Sequence, residues 1–264
     1  MTQSGISPAP TRAIVTGHSR GLGAALAELL LERQIDVLGV GRSAHPTLAQ
    51  RERAASASAS ASQPADFVEA SLDLADPAAI EQWLASGVLQ RFVQGAQCVL
   101  LFNNAGMVDP IAPLGAQDAS AIARAVTLNV AAPLMLANAI VSVQAHERRI
   151  VHISSGAARS AYAGWSVYCA TKAALDHHAR AVALDAPDGV RISSVAPGVV
   201  DTGMQATIRA TSVDHFPLRG RFDELKQTGK LATPEDSARQ LVDYALSDAF
   251  GSSPVTDVRE LAQA

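Results

Sequence analysis

The chain has 264 residues, of which 48% are hydrophobic, so it can bury the core of one sizeable α/β domain. Its 21 Lys and Arg residues against 25 Asp and Glu residues give a formal net charge of −4. The basic residues are scattered rather than striped, so we expect no nucleic-acid partner. We expect residues 1–264 to form a single domain.

Three further features bear on location. No apolar stretch is long enough to cross a bilayer, which takes about 20 residues, so we predict no membrane segment. The first 11 residues lack the charged start and apolar run of a secretory signal. Cys98 and Cys169 have no metal-ligand or redox spacing, and neither have the histidines, so we predict no metal site and a reducing cytoplasm.

Short β-branched runs alternate with longer helical patterns, which is typical of repeated βαβ units. We predict a Rossmann-type doubly wound parallel sheet of about seven strands in the order 3-2-1-4-5-6-7, with helices on both faces. The predicted strands are residues 12–16, 36–41, 66–71, 97–102, 149–154, 191–195 and 254–258. The predicted helices are residues 22–32, 77–93, 118–144, 166–186 and 234–247.

Two segments do not fit this alternation. Residues 44–65 contain a strict Ala/Ser alternation at 54–62, which predicts a flexible surface insertion, with a short helix as the alternative. Residues 202–230 show no clear periodicity and directly follow a strand end. Ligands bind at that edge of a parallel sheet, so we predict a substrate lid there.

A glycine-rich turn joins the first predicted strand to the first predicted helix. Its glycines would let the backbone approach a pyrophosphate, and the helix N-terminus would supply free N–H groups. An ordinary tight turn is the alternative. The candidate cofactor residues in this turn are Gly17, Ser19, Arg20, Gly21, Leu22 and Gly23.

The second predicted strand ends at Gly41-Arg42, without the acidic residue that would hold the ribose hydroxyls of NAD. Arg42 and Arg20 would suit a 2′-phosphate, because guanidinium groups match its charge and geometry. We therefore predict NADP(H) as the cofactor. The alternative is that both arginines are ordinary solvated side chains.

Two more strand ends could contribute to the same site. Asp73-Leu74 follows the third strand, where the carboxylate could accept from an adenine amino group or form a turn or helix cap. Asn103 ends the fourth strand and is followed by Asn104, Ala105 and Gly106. Its amide could lie against the cofactor or tie neighbouring strands together.

Ser155, Tyr168 and Lys172 would form the chemical end of the site. Tyr168 and Lys172 share one face of a helix, and the loop from Ser155 can return to the phenol. Two charges about 4 Å apart interact by roughly 4 kcal/mol near a surface, about three pKa units, so we predict a Tyr168 pKa near neutrality. Asn129 could hold water that relays protons to Lys172, or could bond its own helix backbone.

These residues resemble the short-chain dehydrogenase/reductase family over nearly the whole chain. The resemblance implies a catalytic set of Asn129, Ser155, Tyr168 and Lys172, with Tyr168 and Lys172 also contacting the cofactor. It implies homodimers or homotetramers. It further implies that the segment after the sixth strand approaches the nicotinamide, through Pro197, Gly198, Val200 and Thr202.

Within the family, the segments around Trp165 and Met204 look like the sepiapterin reductase and benzil reductase branch, which makes both candidate substrate contacts. In sepiapterin reductase an aspartate near the C-terminus anchors the pterin, and Asp257 stands in the corresponding segment. A capping or salt-bridging aspartate is the alternative. Val258-Arg259-Glu260 follows it in place of the aromatic residues of that enzyme.

The sequence therefore predicts an NADPH-dependent carbonyl reductase acting on a small-molecule ketone or diketone. The same groups would serve an NADP-dependent alcohol dehydrogenase working in the oxidative direction. A nucleotide-sensing regulator without turnover is the alternative from another class, although it would not need a general acid.

Overall fold

The structure, a computed structural model, describes residues 10–48 and 65–261. Within these residues one parallel sheet has the strand order β3-β2-β1-β4-β5-β6-β7. The predicted doubly wound sheet and its order are confirmed. The strands are β1 (Thr11–Thr16), β2 (Asp36–Gly41), β3 (Phe67–Ser71), β4 (Cys98–Asn103), β5 (Glu147–Ile153), β6 (Val190–Ala196) and β7 (Val255–Asp257).

Helices cover both faces of the sheet. The helices are α1 (Gly21–Glu32), α2 (Pro77–Ala85), α3 (Val88–Val93), α4 (Ala119–Val126), α5 (Ala132–Val141), α6 (Ser166–Asp185), α7 (Gly203–Ala210), α8 (Arg219–Gln227), α9 (Pro234–Leu246) and α10 (Val258–Leu261). On one face, α1 and α9 pack together over β1 and β4. On the other face, α2, α3 and α5 cover the opposite side chains of the same strands.

Three regions differ from their predictions. The helix predicted at 77–93 is divided by Gly87, which has a φ of 74° that ends α2 and starts α3. The helix predicted at 118–144 ends at Val141 and contains a π-helical turn, Thr127–Ala131, between α4 and α5. Residues 202–230, predicted without regular structure, form α7 and α8, which are too short for their periodicity to stand out.

The continuous helical run Ala119–Val141 has a mean hydropathy of 1.4, and by length and composition alone it is long and apolar enough to cross a membrane. The prediction that no stretch reaches this length is therefore wrong. The mean over this run is apolar although the run contains Arg124, Asn129 and Asn138. The face carrying Leu136 and Ile140 packs into the core beside the sheet.

The strand register brings all carboxyl ends to one edge. Thr16 pairs with Val40, Asn103 with His152, and Ile153 with Val195. The predicted insertion lies largely outside the described residues, since 49–64 are not among them. The carboxyl edge is therefore where the candidate residues are found.

Candidate active site

The glycine turn between β1 and α1 has the shape that the sequence predicted. Gly17 and Gly21 have φ angles of 68° and 54°, in the left-handed region that side chains disfavour. A Cβ at Gly23 would lie 2.1 Å from the carbonyl oxygen of Gly17, so only glycine lets α1 pack on the turn. No side chain caps the start of α1 at Arg20, so its first N–H groups remain available to a phosphate. The turn fits a dinucleotide.

Asn104 holds this turn in place, and the sequence named it only as part of the motif whose side-chain amides could tie strands together. Its Nδ2 donates to the carbonyl oxygens of Thr16 and Gly17 at 2.9 and 3.3 Å. The backbone N–H groups of Asn104 and Ala105 both donate to Thr16 Oγ1 at 2.9 Å. The only signal was its place in the motif that supplies Asn103 and Gly106.

Arg20 and Arg42 are exposed at the same edge. Within residues 10–48 and 65–261, neither guanidinium has a hydrogen-bond or ion-pair partner. Ser19 is half-buried in the turn and Leu22 is buried beneath it. Both arginines are therefore free to bind an anion.

Asp73, Leu74 and Asn103 serve structural contacts. Asp73 Oδ1 accepts from the backbone N–H of Ala75 at 2.9 Å, which is the turn role left open by the sequence, and Leu74 is core. Asn103 Nδ2 donates to Pro133 O at 3.2 Å and to His152 Nδ1 at 3.1 Å. Asn103 therefore ties β4 to β5, although its buried Oδ1 accepts no hydrogen bond from the residues that the structure describes.

The segment after β6 reaches the glycine turn. Gly198 has a φ of 78°, Val200 pairs with Ala232, and the Pro197 carbonyl accepts from Ser237. A Cβ placed at Gly21 would lie 3.1 Å from Thr202 Cγ2. The start of the predicted lid therefore lies directly against the start of α1.

Ser155 and Tyr168 meet as the sequence predicted. Tyr168, in the first turn of α6, is 7% exposed, and its phenol is close enough to the Ser155 side chain for that hydroxyl to lower the phenol pKa. Ser155 Oγ accepts from the backbone N–H of Ala157 at 3.1 Å. Burial raises the pKa of Tyr168 to about 12, against the opposing effect of the Ser155 hydroxyl. The phenol is therefore protonated at neutral pH.

Lys172 lies beside the phenol without making it acidic here. Its Nζ lies 5.8 Å from the centre of the Tyr168 ring and donates to Ile153 O at 2.7 Å. Burial lowers the pKa of Lys172 to about 8, while the Asp176 carboxylate opposes that shift. The predicted Tyr168 pKa near neutrality is wrong, because burial disfavours the phenolate and Lys172 is not among the groups that shift the phenol pKa.

The Asn129 side chain does not bond its own helix backbone, which was one of the two roles left open for it. It is buried in the π-helical turn, where its Oδ1 accepts from Met107 N at 2.9 Å and its Nδ2 donates to Met107 O at 2.8 Å. Its Nδ2 also approaches Thr171 Oγ1 at 3.2 Å. A Cβ at Gly106 would lie 3.3 Å from Asn129 Oδ1 and 3.6 Å from Lys172 Nζ. Asn129 therefore fixes the segment after β4 close to the lysine.

Asp176 is a buried carboxylate one turn beyond Lys172, and sequence reasoning missed it. Its Oδ1 accepts from Ser154 Oγ at 2.6 Å and from Ser194 Oγ at 2.8 Å. Arg159 lies 3.6 Å from Oδ2 and donates to Thr256 O at 3.0 Å. The i, i+4 spacing from Lys172 was the available signal. Asp176 joins α6 to the ends of β5 and β6.

An aromatic cluster covers the chemical end. Trp165 is 4% exposed and stacks on Phe216 at 4.5 Å with an angle of 16° between the rings. The centre of the Tyr168 ring lies 5.3 Å from that of the Trp165 ring, and Met204 packs against the same cluster. A Cβ at Gly164 would lie 2.1 Å from His215 O, which shows how closely the two segments approach. Residues from 202–230 thus lie over the candidate acid.

Asp257 forms a salt bridge, one of the two roles considered for it. The Arg259 guanidinium donates two hydrogen bonds of 2.7 Å to the Asp257 carboxylate, and the Arg259 backbone N–H donates a third at 3.0 Å. These contacts hold the pKa of Asp257 below its ordinary value, although burial opposes them. The carboxylate is already satisfied by its neighbour.

Comparisons with known proteins agree with this geometry. The family model described as short chain dehydrogenase matches residues 11–213. Benzil reductase ((S)-benzoin forming) from Bacillus cereus is 32% identical over 94% of this chain and 98% of its own length. Sepiapterin reductase from Meriones unguiculatus is 33% identical over 92% of this chain and 94% of its own length.

A solved structure is also similar. A short-chain dehydrogenase/reductase from Burkholderia vietnamiensis is 54% identical, covers 97% of this chain and 100% of its own, and superimposes with a TM-score of 0.67. The matches extend over the glycine turn, the sheet and the segment of Ser155, Tyr168 and Lys172. The chain belongs to the short-chain dehydrogenase/reductase family of oxidoreductases.

Proposed function

We propose that this protein is an NADPH-dependent carbonyl reductase that converts a ketone or diketone to an alcohol. The observation that carries the proposal is the approach of the Ser155 side chain to the Tyr168 phenol, beside Lys172 and at the same sheet edge as the glycine turn. Its similarity to benzil and sepiapterin reductases supports a carbonyl substrate.

The turn of Gly17, Gly21 and Gly23 would hold the pyrophosphate, and Arg20 and Arg42 the 2′-phosphate. Asp73, Leu74, Asn103, Ala105 and Gly106 would border the adenosine and ribose, with Pro197, Gly198, Val200 and Thr202 along the nicotinamide. When bound, NADPH supplies the hydride that the carbonyl carbon receives.

The protein groups would supply the proton and the orientation. Ser155 donates a hydrogen bond to the carbonyl oxygen, and Tyr168 transfers its phenolic proton to that oxygen as the carbon is reduced. The phenolate left behind is stabilised by the ammonium of Lys172, which Asn129 supports by fixing Gly106 beside it. Because its pKa is raised, Tyr168 is protonated at neutral pH and can act as the acid.

Residues 202–230 would act as the lid, with Trp165 and Met204 facing the substrate. An aryl ketone or diketone suits this aromatic cluster better than a pterin, because Arg259 already occupies Asp257. We further propose a single domain, a cytoplasmic location and a homodimer or homotetramer. The oxidative direction with NADP⁺ uses the same groups.

The test is NADPH oxidation with benzil and with sepiapterin, for the parent protein and for Tyr168→Phe. We expect the variant to bind NADPH normally, with kcat lowered about 100- to 10,000-fold through loss of the general acid. Tyr244→Phe is a matched control, because Tyr244 is also 7% exposed but lies in α9, with its hydroxyl against Ser193 of β6. NADPH binding without oxidation of any carbonyl compound by the parent protein would favour a nucleotide sensor.

A further inference from the structure

His18 occupies the space beside the end of β2. It follows Gly17 in the glycine turn and is only 1% exposed. A Cβ at Gly39 would lie 2.5 Å from the His18 ring, and a Cβ at Gly41 would lie 3.6 Å from it. The imidazole therefore fills the volume that larger residues in β2 would take.

Glu69, in β3, anchors that imidazole. His18 Nε2 lies 2.7 Å from Glu69 Oε1, and since a carboxylate accepts, Nε2 carries the hydrogen. The backbone N–H of His45 donates to the same oxygen at 2.5 Å. The Phe67 ring lies 5.8 Å from the ring of His18 and 6.2 Å from that of His45. One side chain thus joins the glycine turn to the segment that follows β2.

The two joined segments are those that carry Arg20 and Arg42. Arg20 follows His18 by two residues, and Arg42 precedes His45 by three. Both guanidinium groups are exposed and without partners among the described residues, so their own contacts do not fix their separation. Their backbones are fixed instead, through the shared carboxylate.

We propose that Glu69, acting through His18 and the His45 backbone, is a positioning residue that sets the preference for NADPH over NADH. It holds Arg20 and Arg42 at a spacing from which both reach one 2′-phosphate. This inference rests on the proposed function. NADH offers a hydroxyl there, so a loss of this spacing weakens the binding of NADPH and spares that of NADH.

The experiment measures kcat and KM for both cofactors in Glu69→Ala and Glu69→Gln. We expect Glu69→Ala to raise the KM for NADPH about tenfold, which is a loss of about 1.4 kcal/mol, with kcat and the KM for NADH within about twofold. Gln keeps an acceptor oxygen but loses the charge, so Glu69→Gln should restore part of the preference. It also covers the case in which the alanine variant does not fold.

A double-mutant cycle with Arg42→Ala tests the coupling. The effects on the KM for NADPH should be strongly non-additive, because Glu69 acts by placing the group that Arg42→Ala removes. Glu147→Gln is the matched control. Its side chain is 22% exposed, as is that of Glu69, and it is also paired with basic side chains, but it lies at the opposite edge of the sheet.

An equal rise in KM for NADPH and NADH, or an additive cycle, would overturn the positioning role and leave Glu69 purely structural. The same change in the ratio of the KM for NADPH to the KM for NADH in Glu147→Gln would also overturn the positioning role. Preference for NADH in the unsubstituted protein is a different failure, because it would refute the proposed cofactor itself.

Discussion

The nucleotide end and the chemical end of the candidate site differ in what shapes them. At the nucleotide end, glycine backbone and Asn104 form an open turn, and Arg20 and Arg42 point into solvent. At the chemical end, Tyr168 and Lys172 are buried under an aromatic cover. Recognition at the first depends on space left for a ligand, whereas chemistry at the second depends on exclusion of water.

This difference explains the unexpected protonation at the chemical end. Burial disfavours charge on either group, so it raises the pKa of the phenol and lowers that of the ammonium. The spacing of Tyr168 and Lys172 brings them together, but the surroundings decide which form each takes.

The largest expected effect comes from Gly23→Ala at the nucleotide end. The new Cβ would meet Gly17 O at 2.1 Å, a backbone atom that cannot move without opening the turn. We expect NADPH binding and activity to be lost, measured by calorimetry and by NADPH oxidation. Gly220→Ala, in α8 with nothing near its Cβ position, should bind NADPH normally. Normal binding by Gly23→Ala would show that the turn is not the pyrophosphate site.

Gly164→Ala makes the corresponding clash at the chemical end. Its Cβ would also lie 2.1 Å from a backbone oxygen, that of His215, and Gly164 has a φ of 83°. We expect the cover over Trp165 to shift and kcat/KM for the ketone to fall about tenfold or more, through misplacement of substrate. The dissociation constant for NADPH should stay unchanged. A variant that loses NADPH binding instead would contradict the separation of the two ends.

The smallest expected effect is a pH dependence of stability that belongs to Lys172. Its folded-state pKa of about 8 lies below the ordinary 10.5, so between these values the unfolded chain binds more protons. Stability contributed by this group therefore rises with pH, by at most about 1.4 kcal/mol per pH unit.

Urea unfolding of the parent protein and of Lys172→Met from pH 8 to pH 10 measures this rise. The free energy of unfolding of the parent should increase relative to that of the variant. Lys226→Met, which removes a half-exposed lysine, should run parallel to the parent. Parallel curves for Lys172→Met would mean that Lys172 is not destabilised by burial.

Much of the fold could be read from the sequence because it is repetitive. Each β-branched run predicted a strand buried on both faces, and the alternation of these runs with helices predicted the doubly wound sheet and its order. Breaks within helices were harder: Gly87 and the π-helical turn at Asn129 depend on local backbone choices that average periodicity does not reveal. The helices α7 and α8 were missed because they are too short for their periodicity to stand out.

The sequence alone determined which residues share the carboxyl edge, since parallel strands deliver their ends to one place and helical spacing puts Tyr168 beside Lys172. Tertiary structure decided what surrounds them. The partners of Asn129, Asp176 and His18 come from distant segments, and the protonation of Tyr168 follows from the burial that those segments produce. Electrostatic free energies depend on that enclosure, and no local pattern of residues encodes it.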